Sequence, residues 1–72
     1  MGIMQMEPWS VVLHNTPSER DIRRQLERLE REGQIEPIKL LEDGSPDLDS
    51  WVYAEAQVAA ARRLRWPTIL VC

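Results

Sequence analysis

An alanine-rich stretch over residues 54–65, AEAQVAAARRLR, lies between two β-type runs, SWVYA before it and TILVC after it. Its small and apolar residues recur at helical spacing, which predicts a helix with one buried face. Small side chains on that face allow the helix to lie close against a sheet. Pro67 ends the helix, because proline lacks the N–H group that the next helical hydrogen bond needs. The buried face is predicted to consist of Ala54, Val58, Ala61 and Leu64.

A second helix is predicted over residues 17–32. Thr16 is expected at the N-cap, with Pro17 in the first helical position and Glu19 completing a capping box. Gly33 is expected to end the helix, because glycine readily adopts the left-handed conformation that is common just after a helix. Charged residues of opposite sign occupy the remaining faces at a spacing of four. A narrow apolar stripe consists of Ile22, Leu26 and Leu29.

Four short segments are predicted as β-strands from their β-branched or apolar runs and the turn residues between them. They are residues 9–14, 35–42, 50–54 and 68–72. Together with the two helices they give the element order β-α-β-β-α-β. The predicted fold is therefore α+β, with a small mixed β-sheet and two helices.

The length of the chain predicts a single domain over residues 1–72 with a thin core, because so small a domain buries only ~60% of its unfolded surface. Small domains are commonly reinforced by a disulfide, a metal or a partner subunit. Cys72 is the single cysteine and His14 the single histidine, so the sequence offers no internal disulfide and no cluster of metal ligands. We therefore predict no metal and no cofactor, and we expect a protein partner or a homodimer.

Charge argues against a nonspecific nucleic-acid-binding protein, and hydropathy argues against a secreted or membrane-spanning one. Twelve acidic residues outnumber nine basic ones, and the formal net charge of −3 does not favour nonspecific binding of nucleic acid. The opening residues, MGIMQMEPWS, lack the basic start and long apolar core of a secretion signal. No stretch approaches the roughly 20 apolar residues of a membrane-spanning helix. The sequence predicts a cytoplasmic protein without a membrane partner.

Three short motifs resemble the N-terminal domain of the ParB/sulfiredoxin superfamily. Residues 33–38, GQIEPI, are similar to the family's G-x-x-Q-P-I entry to a strand. Residues 54–57, AEAQ, stand where the family has Gly-Glu-Arg-Arg, and residues 68–71, TILV, match a strand that often reads IPV. The order and spacing of these motifs cover about the last four-fifths of the chain, and they imply the ParB-like fold.

The resemblance also implies a nucleotide site, because ParB N-terminal domains bind CTP. In those domains the glycine lets the backbone approach the phosphate, and the arginines donate charge-assisted hydrogen bonds to it. Here Ala54 replaces the glycine, Ala56 and Gln57 replace the arginines, and Glu55 alone matches. We therefore expect high-affinity nucleotide binding to be lost. Sulfiredoxins carry a cysteine in this turn, and this chain has none there.

The leading hypothesis is a stand-alone, non-catalytic ParB-like module that acts through protein–protein contacts. Its partner would be a second copy of the chain or a protein of a DNA-handling system, and so short a version would suit phage or plasmid origin. Trp9 and Trp66 are candidate contact residues, since tryptophan is enriched at interface hot spots.

Two alternatives stay open. A residual nucleotide-binding domain for CTP or ATP would use Glu55, Gln57 and Arg62. A DNA-binding regulator, or a partner that needs cations, would instead use the basic cluster at the end of the helix predicted over residues 54–65, which consists of Arg62, Arg63 and Arg65. Against both stands a structural interpretation, in which an acid at the start of a helix and cations at its end only complement the helix dipole.

Overall fold

The computed structural model describes residues 2–72 and has an α+β fold with two helices and a two-stranded antiparallel sheet. The helices carry most of the core, and the sheet joins the two ends of the chain. The elements are β1 (Met4–Met6), a 3-10 helix (Pro8–Ser10), α1 (Glu19–Glu32), α2 (Ala54–Arg63) and β2 (Ile69–Val71).

The start of α1 lies two residues later than predicted. The hydroxyl of Ser18, rather than that of Thr16, caps the helix by accepting a hydrogen bond from the N–H of Asp21 at 3.2 Å. Pro17 therefore lies before the cap, and the predicted capping box of Thr16 with Glu19 does not form. Ser18 is as good an N-cap as threonine, so local preference alone does not separate the two positions.

The end of α1 and its apolar stripe are as predicted. Gly33 has φ of 74° and ψ of −174°, a conformation open essentially to glycine alone, and its N–H donates to the carbonyl of Leu29 at 2.9 Å. Ile22 and Leu29 are buried, and Leu26 is half-buried against the same core. The stripe therefore packs inward, while the charged faces of α1 lie in solvent.

The predicted helix α2 is confirmed over Ala54–Arg63, but its burial is not confined to one face, because Glu55, Ala56, Gln57 and Ala60 are buried as well. Ala54, Val58 and Ala61 are buried, and Leu64, just after the helix, packs against the core from a half-buried position. α2 packs against α1 and against the 3-10 helix. Within residues 2–72, neither helix combines the length and the apolar character needed to cross a membrane.

The prediction of the last strand is confirmed as β2, but its partner is not the predicted first strand. β2 pairs with β1, with Met6 opposite Ile69. The predicted strand over residues 9–14 is wrong, because Pro8 begins a 3-10 helix there and Val11 turns inward to fill the core. Methionine and glutamine give β1 no strong strand signal, so the sequence did not predict it.

The predicted strand over residues 35–42 forms only a short parallel pairing along the other side of β2. The N–H of Ile38 donates to the carbonyl of Leu70 at 2.9 Å, and the N–H of Leu40 donates to the carbonyl of Cys72 at 3.0 Å. Ile38 and Leu40 count as isolated bridges, not as a full strand. Residues 45–47 cover the outer side of this segment.

The predicted strand over residues 50–54 is also wrong, because Asp47 folds this part of the chain into turns. Its carboxylate accepts hydrogen bonds from the N–H of Asp49 at 3.0 Å and from the hydroxyl of Ser50 at 3.1 Å. Its carbonyl accepts from the N–H groups of Ser50 and Trp51. An aspartate that satisfies the groups just after it favours a turn over an extended strand, so residues 48–53 lead directly into α2.

The side-chain amide of Gln34 substitutes for a neighbouring strand at β2. Its Oε1 accepts from the N–H of Leu70 at 2.7 Å, and its Nε2 donates to the carbonyl of Leu70 at 2.9 Å. The Gln34 side chain thus satisfies the N–H of Leu70, while the Leu70 carbonyl also accepts from the N–H of Ile38. The two bonds also fix the orientation of the amide, because each end has a partner of one kind only.

We expect Gln34→Ala to lower the free energy of unfolding by about 1 to 3 kcal/mol, because it removes the acceptor of the Leu70 N–H and one of the two donors to the Leu70 carbonyl. Gln34→Glu should also be destabilising, since a carboxylate oxygen would then face the Leu70 carbonyl. Urea denaturation followed by circular dichroism measures both. Gln5→Ala, at an exposed glutamine of β1, is the matched control. An equal effect at Gln5 and Gln34 would contradict the role of the amide.

Candidate binding site around Trp9 and Arg62

Arg62 connects α2 to the segment that follows β1. Its Nε donates to the carbonyl of Pro8 at 3.0 Å, and its Nη2 donates to the carbonyl of Val11 at 2.8 Å. Hydrogen bonds from a charged donor are among the stronger ones in proteins. The guanidinium is therefore held in one orientation by two backbone groups that are distant from it in the sequence.

The indole of Trp9 lies over this guanidinium, with the Arg62 Cζ 4.6 Å from the ring centroid. Such stacking of arginine on tryptophan is a favourable cation–π contact. The ring is nevertheless 72% exposed, the highest value among the large apolar side chains of residues 2–72. One face of the Trp9 ring is thus held against Arg62, and most of the rest of the ring is exposed to solvent.

The two neighbouring arginines differ in their electrostatic state. Arg63 donates hydrogen bonds from both terminal nitrogens to the carboxylate of Glu19, one of them at 2.7 Å. The hydrogen bond lowers the pKa of Glu19 and raises that of Arg63. Arg62 has no acidic partner within residues 2–72, and its partial burial lowers its pKa. Arg62 therefore carries a charge that the described part of the chain does not neutralise.

These side chains border an open pocket of about 430 Å³, which we call the Trp9 pocket. Trp9, Arg62 and Arg63 form its aromatic and cationic side. Its apolar lining comes from Leu13, Pro17, Ile22 and Ala59, and its polar lining from Asn15 and Thr16. The pocket combines a flat ring, a positive charge, hydrogen-bonding groups and an apolar surface, which are the components of a specific binding site.

Comparisons with protein-family models, with curated proteins and with solved structures find no match. The relationship to the ParB/sulfiredoxin superfamily therefore stays a prediction from residues 33–38, 54–57 and 68–71. Within residues 2–72, no three His, Cys, Asp or Glu side chains are grouped as metal ligands. The function of the chain is accordingly inferred from the chemistry of its own side chains.

A second pocket, of about 250 Å³, lies beside the first turn of α2, and we call it the Ala54 pocket. Arg28, Lys39 and Trp51 contribute to its wall, and the Arg28 Cζ lies 5.9 Å from the Trp51 ring centroid. Gln57 also lines the pocket, and its Oε1 is buried without a hydrogen-bond partner in residues 2–72. The pocket thus lies between the two ParB-like segments, residues 33–38 and 54–57, and carries Ala54 and Gln57 where the family has a glycine and an arginine.

The residues of the nucleotide alternative are not brought to one place. Gln57 lines the Ala54 pocket, whereas the carboxylate of Glu55 accepts the N–H of Asn15 at 3.4 Å, on the side of the Trp9 pocket. Two residues two positions apart on a helix point in nearly opposite directions, because each residue turns the helix by about 100°. Arg62 lies two turns further along α2. Glu55 and Arg62 thus share a face of α2, and Gln57 does not.

The contact residues predicted from the sequence divide into two groups. Trp9, Arg62 and Arg63 line one pocket, although 53 positions separate the first two. Arg65 and Trp66 line neither pocket. Arg65 adopts a left-handed conformation with φ of 57° after α2, and Trp66 is half-buried against the core. Of the basic cluster, therefore, only Arg62 and Arg63 belong to the candidate site.

His14, the single histidine of the sequence, has a structural partner. Its Nε2 lies 2.7 Å from Oδ2 of Asp43, and both side chains are exposed. Hydrogen bonds from Ser45, then from His14, hold the pKa of Asp43 well below its usual range. The pair joins the segment before α1 to the turn at residues 42–45, where the hydroxyl of Ser45 also donates to the carboxylate of Asp43.

Several residues of the two pockets were not predicted as functional. Thr16 was assigned to the start of a helix and Lys39 to a strand, and Asn15 was given no role. Arg62 itself was predicted as a contact residue, but its hydrogen bonds to the Pro8 and Val11 carbonyls were not. Every residue has a backbone carbonyl, so the sequence does not indicate which carbonyls an arginine will bind. Pro8, directly before Trp9, was the one available indication that this segment begins a helical turn, since proline is favoured at the first helical position.

Proposed function

We propose that this chain is a non-catalytic binding module that acts through protein–protein contacts at the Trp9 pocket. The observation that carries the proposal is the exposed Trp9 ring fixed on Arg62. Tryptophan and arginine are the residues most enriched at interface hot spots. A ring already held in place loses little side-chain freedom on binding, which removes part of the entropic cost of association.

Self-association and binding to another protein are both compatible with this surface. The resemblance to ParB N-terminal domains supports a partner from a DNA-handling system, in a phage or plasmid setting. The outer side of β1 supports a second copy, because Ile3 and Met4 are exposed there and residues 2–6 carry no charged side chain that would repel a paired strand.

Sedimentation analysis of the full chain tests the proposal. If the Trp9 surface joins two copies, Trp9→Ala should weaken self-association, whereas Val52→Ala, at an exposed valine beside the start of α2, should not. For a different partner, immobilised wild-type chain should retain a protein that the Trp9→Ala chain loses and the Val52→Ala chain keeps. Identical behaviour of both variants and the wild type, in both experiments, would remove the Trp9 surface as the contact site.

A second candidate function is binding of a small ligand in the Ala54 pocket, which the open volume beside α2 supports. Arg28 and Lys39 bring positive charge, but Glu36 and Asp47 line the same pocket, so a triphosphate would meet both signs. Calorimetry with CTP, ATP and GTP in the presence of magnesium tests this candidate. Submillimolar binding that Lys39→Gln weakens would favour it over the protein-contact module.

The DNA-binding alternative has less support from the side chains. Arg62 donates to two carbonyls and Arg63 to a carboxylate, so Arg65 is the member of the cluster without such a bond in residues 2–72. A gel shift at low salt tests it. Retardation that disappears steeply with added salt, and that Arg65→Gln weakens, would restore this alternative.

A further inference from the structure

The charge of Arg62 is the starting point. Its Nε and Nη2 donate to carbonyl oxygens, while its Nη1 forms no hydrogen bond within residues 2–72. A carbonyl oxygen orients the guanidinium but brings no full negative charge. A partly buried charge without a counter-ion is costly, and an arriving anion offsets that cost. Arg62 is thus prepared to bind an anion, with its orientation already fixed.

The groups around Arg62 indicate what kind of anion fits. The side chains of Asn15 and Thr16 line the pocket and form no hydrogen bond within the described residues, so both can donate to an oxygen anion. Leu13, Pro17 and the ring of Trp9 offer apolar surface in the same pocket. A bare inorganic anion would leave that surface in contact with water. The ligand therefore joins an anionic group to an apolar one.

The acidic side chains near the Trp9 pocket do not pair with Arg62, so its guanidinium can bind an anion. Glu19 is neutralised by Arg63. Glu55, two turns before Arg62 on α2, is buried and accepts a hydrogen bond from the N–H of Asn15. Neither carboxylate forms an ion pair with Arg62. An incoming carboxylate would thus meet a free guanidinium rather than a saturated one.

We propose that the Trp9 pocket binds the C-terminal residue of a partner protein, with its α-carboxylate on Arg62 and its apolar side chain against Trp9 and Leu13. The proposal rests on the protein-contact function given above and names the group that is recognised. The α-carboxylate and the side chain of a C-terminal residue are bonded to the same Cα atom, so both can enter one pocket. In an extended peptide, by contrast, an internal acid and its apolar neighbour point to opposite sides. Capture of a chain terminus by donor groups is an established mode of peptide recognition.

The test uses the full chain labelled with ¹⁵N and three small probes. N-acetyl-leucine carries the carboxylate, N-acetyl-leucinamide lacks it, and N-acetyl-leucyl-glutamic acid α-amide carries a side-chain acid on a blocked end. We expect N-acetyl-leucine to shift the indole N–H of Trp9 and the amides of Asn15 and Thr16. The uncharged probe should bind about tenfold more weakly, since it loses the charge-assisted bond. Added salt should weaken the first probe more than the second.

Two variants locate the effect. Arg62→Gln should reduce binding of N-acetyl-leucine by about tenfold, whereas Arg65→Gln, at an exposed arginine outside the pocket, should leave it unchanged. If Arg62→Gln unfolds, the comparison of the three probes on the wild-type chain still decides. Equal binding of the acid and the amide, preference for the blocked probe, or shifts confined to other residues would overturn the proposal. Protein binding that Trp9→Ala weakens would then survive as the proposed function without this ligand.

Discussion

Val58→Asp is expected to leave the chain unfolded. The Val58 side chain is 0% exposed, on the face of α2 that packs into the core. A carboxylate there would have neither water nor a cationic partner, which costs several kcal/mol. A chain of 72 residues has a stability of about 4 to 11 kcal/mol, so this single change removes most of it or all of it. Circular dichroism and the dispersion of the amide NMR spectrum measure the outcome.

The same substitution at Val52 is the matched control. Val52 is 67% exposed and lies two residues before α2, where a negative charge meets the favourable end of the helix dipole. We expect Val52→Asp to change the free energy of unfolding by no more than about 0.5 kcal/mol. A well-dispersed spectrum and cooperative unfolding for Val58→Asp would show that the buried face of α2 is assigned incorrectly.

This contrast illustrates what could be predicted from the sequence. The repeat of Ala54, Val58 and Ala61 is local, and the residues that end α2 lie next to it, so the pattern predicts both the helix and its buried face. The same holds for α1, where Gly33 marks the end. The apolar run that becomes β2 is also continuous in the sequence. Each of these elements is determined mainly by neighbours within a few positions.

The sheet could not be predicted in the same way, because its pairing joins distant parts of the chain. Trp9 to His14 has the β-branched composition of a strand, yet Pro8 and the inward turn of Val11 give it another structure. β1 has little intrinsic preference for a strand and forms because β2 provides a partner. The turns around Asp47 likewise depend on which groups its carboxylate reaches.

The candidate site shows the same division between residue type and placement. Tryptophan and arginine at positions 9 and 62 were predicted as contact residues from their side-chain chemistry. Their stacking depends on the packing of the 3-10 helix against α2, which no local pattern encodes. The nucleotide alternative grouped Glu55 with Gln57 because both lie in the segment that resembles the ParB motif, although helical geometry separates their side chains. Most of the site residues were therefore predicted from their chemistry, but which of them lie together could be learned only from the three-dimensional structure.

Ile38→Ala is expected to lower the free energy of unfolding by about 2 to 5 kcal/mol, because it leaves a cavity where a large apolar side chain is removed. Ile38 is 2% exposed and belongs to the segment that pairs with β2 in parallel. The loss would therefore affect both the core and the alignment of this segment with β2. Urea denaturation measures the change, and Ile38→Val, which keeps most of the volume, should cost only about 0.5 to 1.5 kcal/mol.

Ile35→Ala separates the effect of burial from the effect of the residue type. Ile35 and Ile38 both line the Ala54 pocket, but Ile35 is 57% exposed and forms no bridge to β2. Its truncation should change the free energy of unfolding by no more than about 0.5 kcal/mol. Equal losses at the two positions would mean that residues 35–38 pack as one buried unit, and the Ala54 pocket would then be closed in solution. A large loss at Ile38 alone fits an open pocket whose floor is part of the core.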